Sequence, residues 1–429
     1  MPYAAGPLPC GRGSVGAPRA RSRTCARHTA YGIRHTVYEV PLKAVVLGCG
    51  LQGVAAAYDL LRWGQASHLL LVDSEAARLK AAARRLTRLL SLKSGILDTA
   101  VLDLRKEDSI VDALLSRDVV VSAVPYYLNL GAARAAVRAR VHFCDLGGNT
   151  ELVRQQLELH EQAQAAGIAV VPDCGLMPGM GTTLAMGAID RVPRAETVRI
   201  FVGGLPQQPL PPLNYKLVFN IEGLTNEYDG PVYVLRDGTV QQAECLGELE
   251  VLEVQGVGTL EAFMTSGGTS TVPWSLEGKL KTLEEKTLRY PGHCQQIRLL
   301  RDLGFLSQQP VRLGRSRVVP RQVFHAVVGP KIDFPDVPDM VVLRVDCEGE
   351  QGGQPVILRK ELIDRADAET GFSAMQRTTG FSAAIVAGLL ARGSISPGAI
   401  PLELSVPADL FIEQLRKRGF DLREQWLRP

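Results

Sequence analysis

From residue 43 onward, six short apolar runs alternate with amphipathic stretches, and this rhythm narrows the fold more than any other feature of the chain. The runs are KAVVLG (43–48), HLLLVD (68–73), TAVLD (99–103), DVVVSAV (118–124), VHFCD (141–145) and IAVVP (168–172). Helical patterns fill the intervals near 52–64, 75–90, 107–116, 128–140 and 151–166. Continuous Val, Leu and Ile with no polar alternation suit strands buried on both faces. Strands that alternate with helices predict an α/β chain whose parallel sheet is doubly wound.

After about residue 175 the pattern changes. Prolines cluster at PLPP (209–212), and strand-like runs appear between Gly and Asn turns: TVRIFVGG (197–204), YKLVFN (215–220), PVYVL (231–235), GTLEAFM (258–264), VVLRVDCEG (341–349) and QPVILRKEL (354–362). These predict a second, α+β domain with a mixed or antiparallel sheet. TTGFSAAIVAGLLARG (378–393) reads as a helix stopped by Gly393 and returning to the first domain. The boundaries that follow are an extension at 1–42, a nucleotide domain at 43–173, a substrate and oligomerisation domain at 174–370, and a returning C-terminal helical segment at 371–429.

Charge excludes several function classes. The net +3 is uneven: residues 1–42 hold six arginines and one acid, Glu39, which leaves the rest of the chain close to −2. Such a balanced body offers no electrostatic case for nucleic acid. The first 42 residues are rich in Gly, Pro, Ala, Arg and Ser, a composition that cannot bury a core. An Arg-rich, acid-poor leader also has the look of a transit peptide, although its glycines and prolines break an amphipathic helix. No apolar run approaches the ~20 residues that span a bilayer. The eight cysteines form no C-x-x-C pair, which suits a reducing compartment, the cytoplasm, and argues against a zinc site or any other metal.

VVLGCGLQGVAAAYDLL (45–61) places Gly48, Gly50 and Gly53 between the first strand and the first helix. In this context each glycine of a G-x-G-x-x-G has a task. Gly48 permits the tight turn, Gly50 the approach of a pyrophosphate, and Gly53 the packing of helix on strand. The N–H groups of the helix opening, at Leu51 and Gln52, face the phosphates. Asp73 ends the second strand 20 residues after Gly53, where a carboxylate accepts from the adenosine ribose. Its charge opposes a 2′-phosphate, and Ser74 follows it, so NAD is preferred over NADP; Arg78 and Arg84 further along keep NADP in play. The domain is therefore read as a Rossmann fold. Loops at later strand ends should meet the redox half of the nucleotide: Ser122, Ala123, Val124 and Pro125; Asp145 to Asn149 with Gly147; and Pro172 to Gly179.

CDLGGN, PDCGLMPGMG, EKTLRYPGH (285–293) and MQRTTGFSAAIVAGLLARG (375–393) resemble the saccharopine dehydrogenase-like family, and within it the bacterial L-lysine 6-dehydrogenase branch. The likeness runs in order from about 43 to 395. It implies a nucleotide domain followed by a larger substrate domain, NAD(P)-dependent chemistry at an amine-bearing carbon, a small amino-acid substrate, and a homo-oligomer, dimer or tetramer. Substrates in the family include lysine, saccharopine and carboxylated polyamines. The Asp73-Ser74 pair, where saccharopine-type members carry a basic residue, fits the lysine branch. Oxidative deamination of the ε-amine is the expected reaction. A saccharopine- or carboxyspermidine-forming dehydrogenase and a non-catalytic nucleotide-binding regulator are the alternatives.

That chemistry needs an acid–base group, because the amine must be neutral when hydride leaves. Asp173, His293 and Tyr126 are the catalytic candidates, with Tyr127 and Asp145 near them. Asp173 alternatively caps its turn, and His293 alternatively is a structural histidine of the RYPGH turn. For the substrate, Arg289 matches a carboxylate bidentately, or else pairs with Glu284 or Glu285. Asn149 faces the nicotinamide amide or the substrate. Glu222 and Tyr228, with Glu227 (EGLTNEYDG), resemble a loop that enters the substrate site in relatives, where an acid would hold the α-ammonium. Cys174 either lines the site or fills the core. Thr379 and Gly380 open the late helix.

Overall fold

A computed structural model describes residues 42–428. The extension read at 1–42 lies outside the described residues, apart from Leu42, which opens the first strand. In chain order the first strands are β1 (Leu42–Leu47), β2 (Ala66–Asp73), β3 (Leu97–Val101), β4 (Val119–Ser122), β5 (His142–Asp145) and β6 (Ala169–Val171). They form a parallel sheet ordered β6-β5-β4-β1-β2-β3. The order reverses between β1 and β4, and that switch point places a crevice at the carboxyl ends of both strands. The 151–166 helix is in fact two, Thr150–Leu157 and His160–Ala166.

The second sheet contains β7 (Arg194–Pro206), β8 (Val232–Arg236), β9 (Thr239–Ala243), β10 (Glu250–Val254), β11 (Gly258–Met264) and β12 (Thr282–Arg289). A small hairpin, β13 (Val311–Leu313) and β14 (Ser316–Val318), stands apart. Then come β15 (Asp339–Gln351) and β16 (Gln354–Arg365). The sheet is mixed: β12 runs parallel to β7, and the other pairings are antiparallel. YKLVFN (215–220) is not a strand. Its Leu217 amide bonds to the Ile332 carbonyl at a helix end, so that stretch has no ladder to join.

The chain does return to the first sheet. After a turn of wider winding at Arg377–Phe381, the helix Ser382–Ala391 is buried along most of its length. It packs on β4, β5 and the helix Leu51–Arg62. A two-residue strand, β17 (Gly398–Ala399), then extends the parallel sheet beside β6, giving it seven strands. A Cβ on Gly380 would stand 2.7 Å from the Ala55 Cβ, so the return lies directly on the first helix. The C-terminal segment does not stay there: β18 (Leu422–Leu427) pairs with β16 in the second sheet. Arg418 and Asp59 clamp the crossing with bidentate hydrogen bonds of 2.6 and 2.7 Å, both side chains buried.

Candidate active site

The glycine loop is built for two different purposes. Gly48 has φ +89°, and a Cβ there would lie 2.6 Å from the Ala123 carbonyl oxygen. A Cβ on Gly53 would lie 1.8 Å from the Gly48 carbonyl oxygen. These two glycines let the loop close on itself and on the end of β4. Gly50 is exposed, and nothing stands within 4 Å of where its Cβ would be. It precedes the helix Leu51–Arg62 without supplying a side-chain cap. The first N–H groups of that helix thus lack a side-chain cap, and the room beside Gly50 suits a pyrophosphate. Leu51 is exposed; Gln52 is half-buried, with an Oε1 that has no partner.

Asp73 is buried at the end of β2, and both of its oxygens are in use. The Cys49 amide donates to one at 2.7 Å and the Glu75 amide to the other at 3.0 Å. Arg78 stands 3.7 Å from the same carboxylate and donates to Glu75 at 2.8 Å. The carboxylate thus braces the glycine loop from behind.

At the next strand ends, Ala123 and Val124 are half-buried and Pro125 is exposed, at the mouth of the crevice. Ser122 is fully buried and donates to Asn129 at 2.9 Å, so it supports the loop and does not face it. Asp145 is a hub: it accepts from the Gly147 amide at 2.8 Å, the Gln156 side chain at 2.6 Å and the Asp173 amide at 3.1 Å. Tyr126 packs behind Gly148, whose Cβ would stand 3.2 Å from the tyrosine Cβ. Asn149 is exposed and caps the helix Thr150–Leu157, accepting from Leu152 at 3.0 Å.

Asp173 sits in a left-handed conformation at φ +67°, uncommon for a residue other than glycine. It is only 3% exposed. Ser270, from the second domain, donates to its Oδ2 at 2.5 Å, while Oδ1 has no partner. A Cβ on Gly147 would come within 2.2 Å of that free oxygen, so only a glycine leaves it room. Burial, and then the charge of Asp145, hold this carboxyl well above the usual carboxylate range. Cys174 beside it is fully buried and points its thiol back to the Val171 carbonyl at 3.3 Å; it fills the core.

On the second sheet, alternate residues of β12 share one face. Arg289 is 2% exposed and spends three of its five N–H groups: Nε on the Tyr228 hydroxyl at 3.0 Å, Nη1 on the Leu288 carbonyl at 2.9 Å, and Nη2 on Glu227 at 3.2 Å. Each terminal nitrogen keeps one N–H, enough for a bidentate carboxylate. Its acidic partner is Glu227. Glu284 lies on the other face of the strand and pairs with Arg199 at 3.2 Å. The Tyr215 ring lies 5.0 Å under the guanidinium.

His293 is fully buried with both nitrogens occupied. Nδ1 donates to the Leu213 carbonyl at 2.8 Å, so Nε2 accepts from the Tyr228 hydroxyl at 2.9 Å. Burial and the Arg289 charge push the imidazole down to about 3, which keeps it neutral. Placed in this way, His293 orients Tyr228 and has no free nitrogen for a substrate. Glu222 is exposed; Glu227, five residues later, is the acid that pairs with Arg289. Thr379 is buried, with its methyl 3.6 Å from a Cβ built on Gly175.

Loop 265–271 joins the two halves. Its Ser270 holds Asp173, and its Thr265 bonds to Thr287 of β12 at 2.7 Å. Sequence reasoning passed over this loop, because SGGTST reads as a simple turn and no periodicity marks it.

Comparisons with known proteins agree with this layout. Residues 44–171 match the saccharopine dehydrogenase NADP binding domain, and residues 175–420 match the saccharopine dehydrogenase C-terminal domain. The NADP(+)-dependent, L-glutamate-forming saccharopine dehydrogenase of Pyricularia oryzae is 26% identical over 251 residues, 56% of this chain and 55% of that protein. The mitochondrial alpha-aminoadipic semialdehyde synthase of Rattus norvegicus is 26% identical over 48% of this chain and 23% of its own length. The matches thus span about half, or less, of these curated relatives. The apo saccharopine dehydrogenase (L-Glu forming) of Saccharomyces cerevisiae shares the fold, with a TM-score of 0.72 over 90% of this chain and 100% of that one at 19% identity. With both halves matched in order across the described body, the chain belongs to the saccharopine dehydrogenase family.

Proposed function

We propose that this chain is a pyridine-nucleotide-dependent oxidoreductase that oxidatively deaminates the ε-amine of L-lysine, with NAD as the nucleotide. The observation that carries the reading is Arg289 with two spare N–H groups beside Glu227. A cation and an acid held together in this way receive an α-amino acid head group, carboxylate on one and ammonium on the other. The head group then fixes the long apolar stem, and the ε-carbon points toward the strand-end loops.

Gly50, Leu51, Gln52 and Gly53 would hold the pyrophosphate, and Asp73 the adenosine ribose. The nucleotide supplies a hydride acceptor at the crevice. Support for NAD comes from Asp73 and Glu75, whose carboxylates would oppose a 2′-phosphate. Asp173 receives the proton that the substrate ammonium must lose before its C–H bond breaks. The unpartnered Oδ1 is the receiving atom. As hydride leaves, the nitrogen lone pair forms the C=N bond; water then adds to that carbon, ammonia departs and an aldehyde remains. The aldehyde closes on its own α-amine with loss of water, giving a cyclic imine.

The names of the relatives favour a second reading, oxidation of saccharopine with release of glutamate in place of ammonia. A panel of L-lysine, L-ornithine, saccharopine and diamines, each with NAD or NADP, separates the two. Reduced nicotinamide from L-lysine alone supports the first reading; reduction with saccharopine alone replaces it with the second.

A further inference from the structure

Strand β12 brings one more carboxyl to the face that carries Arg289. Glu285 is 2% exposed and lies four residues before Arg289, on the same side of the strand. Its hydrogen bond from Thr265 is long, 3.4 Å. Gly268 backs onto it so closely that a Cβ there would stand 2.4 Å from Oε2. Burial, then the neighbouring Glu227, push Glu285 up to about 8. Glu227 is itself raised to about 6, by burial, against the pull of Arg289. Arg289 bonds to Glu227 alone, and its charge reaches Glu285 further along the same strand face. Glu227 borders open space, since 31% of its side chain remains accessible while Arg289 beside it shows 2%.

A second observation is independent of the acids. The Tyr215 hydroxyl is fully buried and has no hydrogen-bond partner. Burial pushes this phenol up, and the Arg289 guanidinium, 5.0 Å from the ring, is the charge that acts on it most, with Glu227 also within reach. Buried hydroxyls are ordinarily satisfied, so an unpaired one beside unbalanced carboxyls marks a place for a ligand donor.

We propose that Glu285, Glu227 and the Tyr215 hydroxyl form an ammonium subsite that reads the α-amine of the substrate while Arg289 reads the α-carboxylate. The subsite rests on the reading of the substrate as an amino acid with a terminal amine, and it assigns Glu285 a role in specificity. The α-ammonium supplies three donors, which three oxygens can accept. A ligand with the same stem and carboxylate but no α-amine leaves those oxygens unpaired.

The test is calorimetric titration of the NADH-saturated protein with L-lysine and with 6-aminohexanoate, which lacks only the α-amine. The wild type should bind L-lysine at least about tenfold more tightly, the scale of hydrogen bonds to a charged group. Glu285→Gln keeps the shape of the side chain and should erase most of that preference without weakening 6-aminohexanoate. Tyr215→Phe removes an atom with no protein partner, so it should fold normally and narrow the same preference. In steady state both variants should raise the KM for L-lysine more than they lower kcat. Equal binding of the two ligands by the wild type, or an unchanged preference in both variants, overturns the subsite. A clear preference without any turnover upholds the subsite and sinks the catalytic reading; turnover without the preference does the reverse.

Discussion

Asp173 and Ser270 meet across the seam between the two halves of the molecule, hydroxyl to carboxylate at 2.5 Å, and leave the other carboxylate oxygen free. The hydrogen bond favours the ionised carboxyl against burial and the charge of Asp145, which both favour the protonated one. Asp173→Asn should lower kcat by about 10²–10⁴, the range of a lost acid–base group, with nucleotide binding retained. Ser270→Ala should act more mildly and in one direction. Without the donor the carboxyl rises further, so the ascending limb of the kcat–pH profile moves to higher pH. An unmoved limb in Ser270→Ala would deny Asp173 the role of base.

Gly50 and Gly53 should separate cleanly on substitution. A Cβ at position 53 would sit 1.8 Å from a carbonyl oxygen, whereas one at position 50 meets nothing within 4 Å. Gly53→Ala should therefore lower the melting temperature. Gly50→Ala should fold as well as the wild type and lose affinity for NAD and NADP alike, read by quenching of intrinsic fluorescence. Full nucleotide affinity in Gly50→Ala would move the phosphates elsewhere.

Asp73 and Arg78 stand 3.7 Å apart, and the proposed preference for NAD rests on the first of them. Asp73→Ala should weaken NAD by about tenfold or more, the scale of hydrogen bonds to a charged group, and NADP much less. Arg78→Ala should leave NAD untouched. Equal losses for both nucleotides in Asp73→Ala would reject the NAD assignment.

His293 ties stability to pH. Its folded value is pushed from 6.5 down to about 3 by burial and by Arg289. The unfolded chain binds the extra proton between those values, so the contribution is complete above about 6.5 and is lost as pH falls toward 3. The slope approaches ~1.4 kcal/mol per pH unit. His293→Gln should cost ~1–3 kcal/mol near neutral pH through the lost bonds to Tyr228 and Leu213. Its unfolding free energy should then fall less steeply than that of the wild type between pH 6 and 4 (~1.4 kcal/mol per unit less at most). Parallel slopes would show that the imidazole is not held neutral.

The nucleotide half was legible in the sequence because its signals are local. Apolar runs, a glycine loop and Asp73 stand in fixed order along about thirty residues, as the βαβ unit requires. Arg289 was legible through a short motif. Glu285 was not, since LEEKTLR alternates charges on a strand whose two faces are both covered. There Glu284 pairs with Arg199 and Lys286 with Glu250, at 3.2 and 2.6 Å, while Glu285 and Arg289 share the opposite face of the strand. No periodicity distinguishes that strand from a solvated hairpin. Ser270 and Tyr215 reach the site only through tertiary packing, from a turn and from a stretch that looked like a strand. His293 and Asn149 show the opposite error: each is polar and well placed along the chain, yet Asn149 is consumed by a local helix cap and His293 by bonds to Tyr228 and Leu213 that only the tertiary fold supplies.

The central claim is the release of ammonia from L-lysine at the cost of nicotinamide reduction. The direct measurement incubates purified protein with L-lysine and NAD and follows NADH and ammonia together. The account predicts that both rise in equal amounts, and that Asp173→Asn slows both by about 10²–10⁴ while still binding nucleotide. NADH formation with saccharopine but not with L-lysine, accompanied by glutamate instead of ammonia, would contradict it.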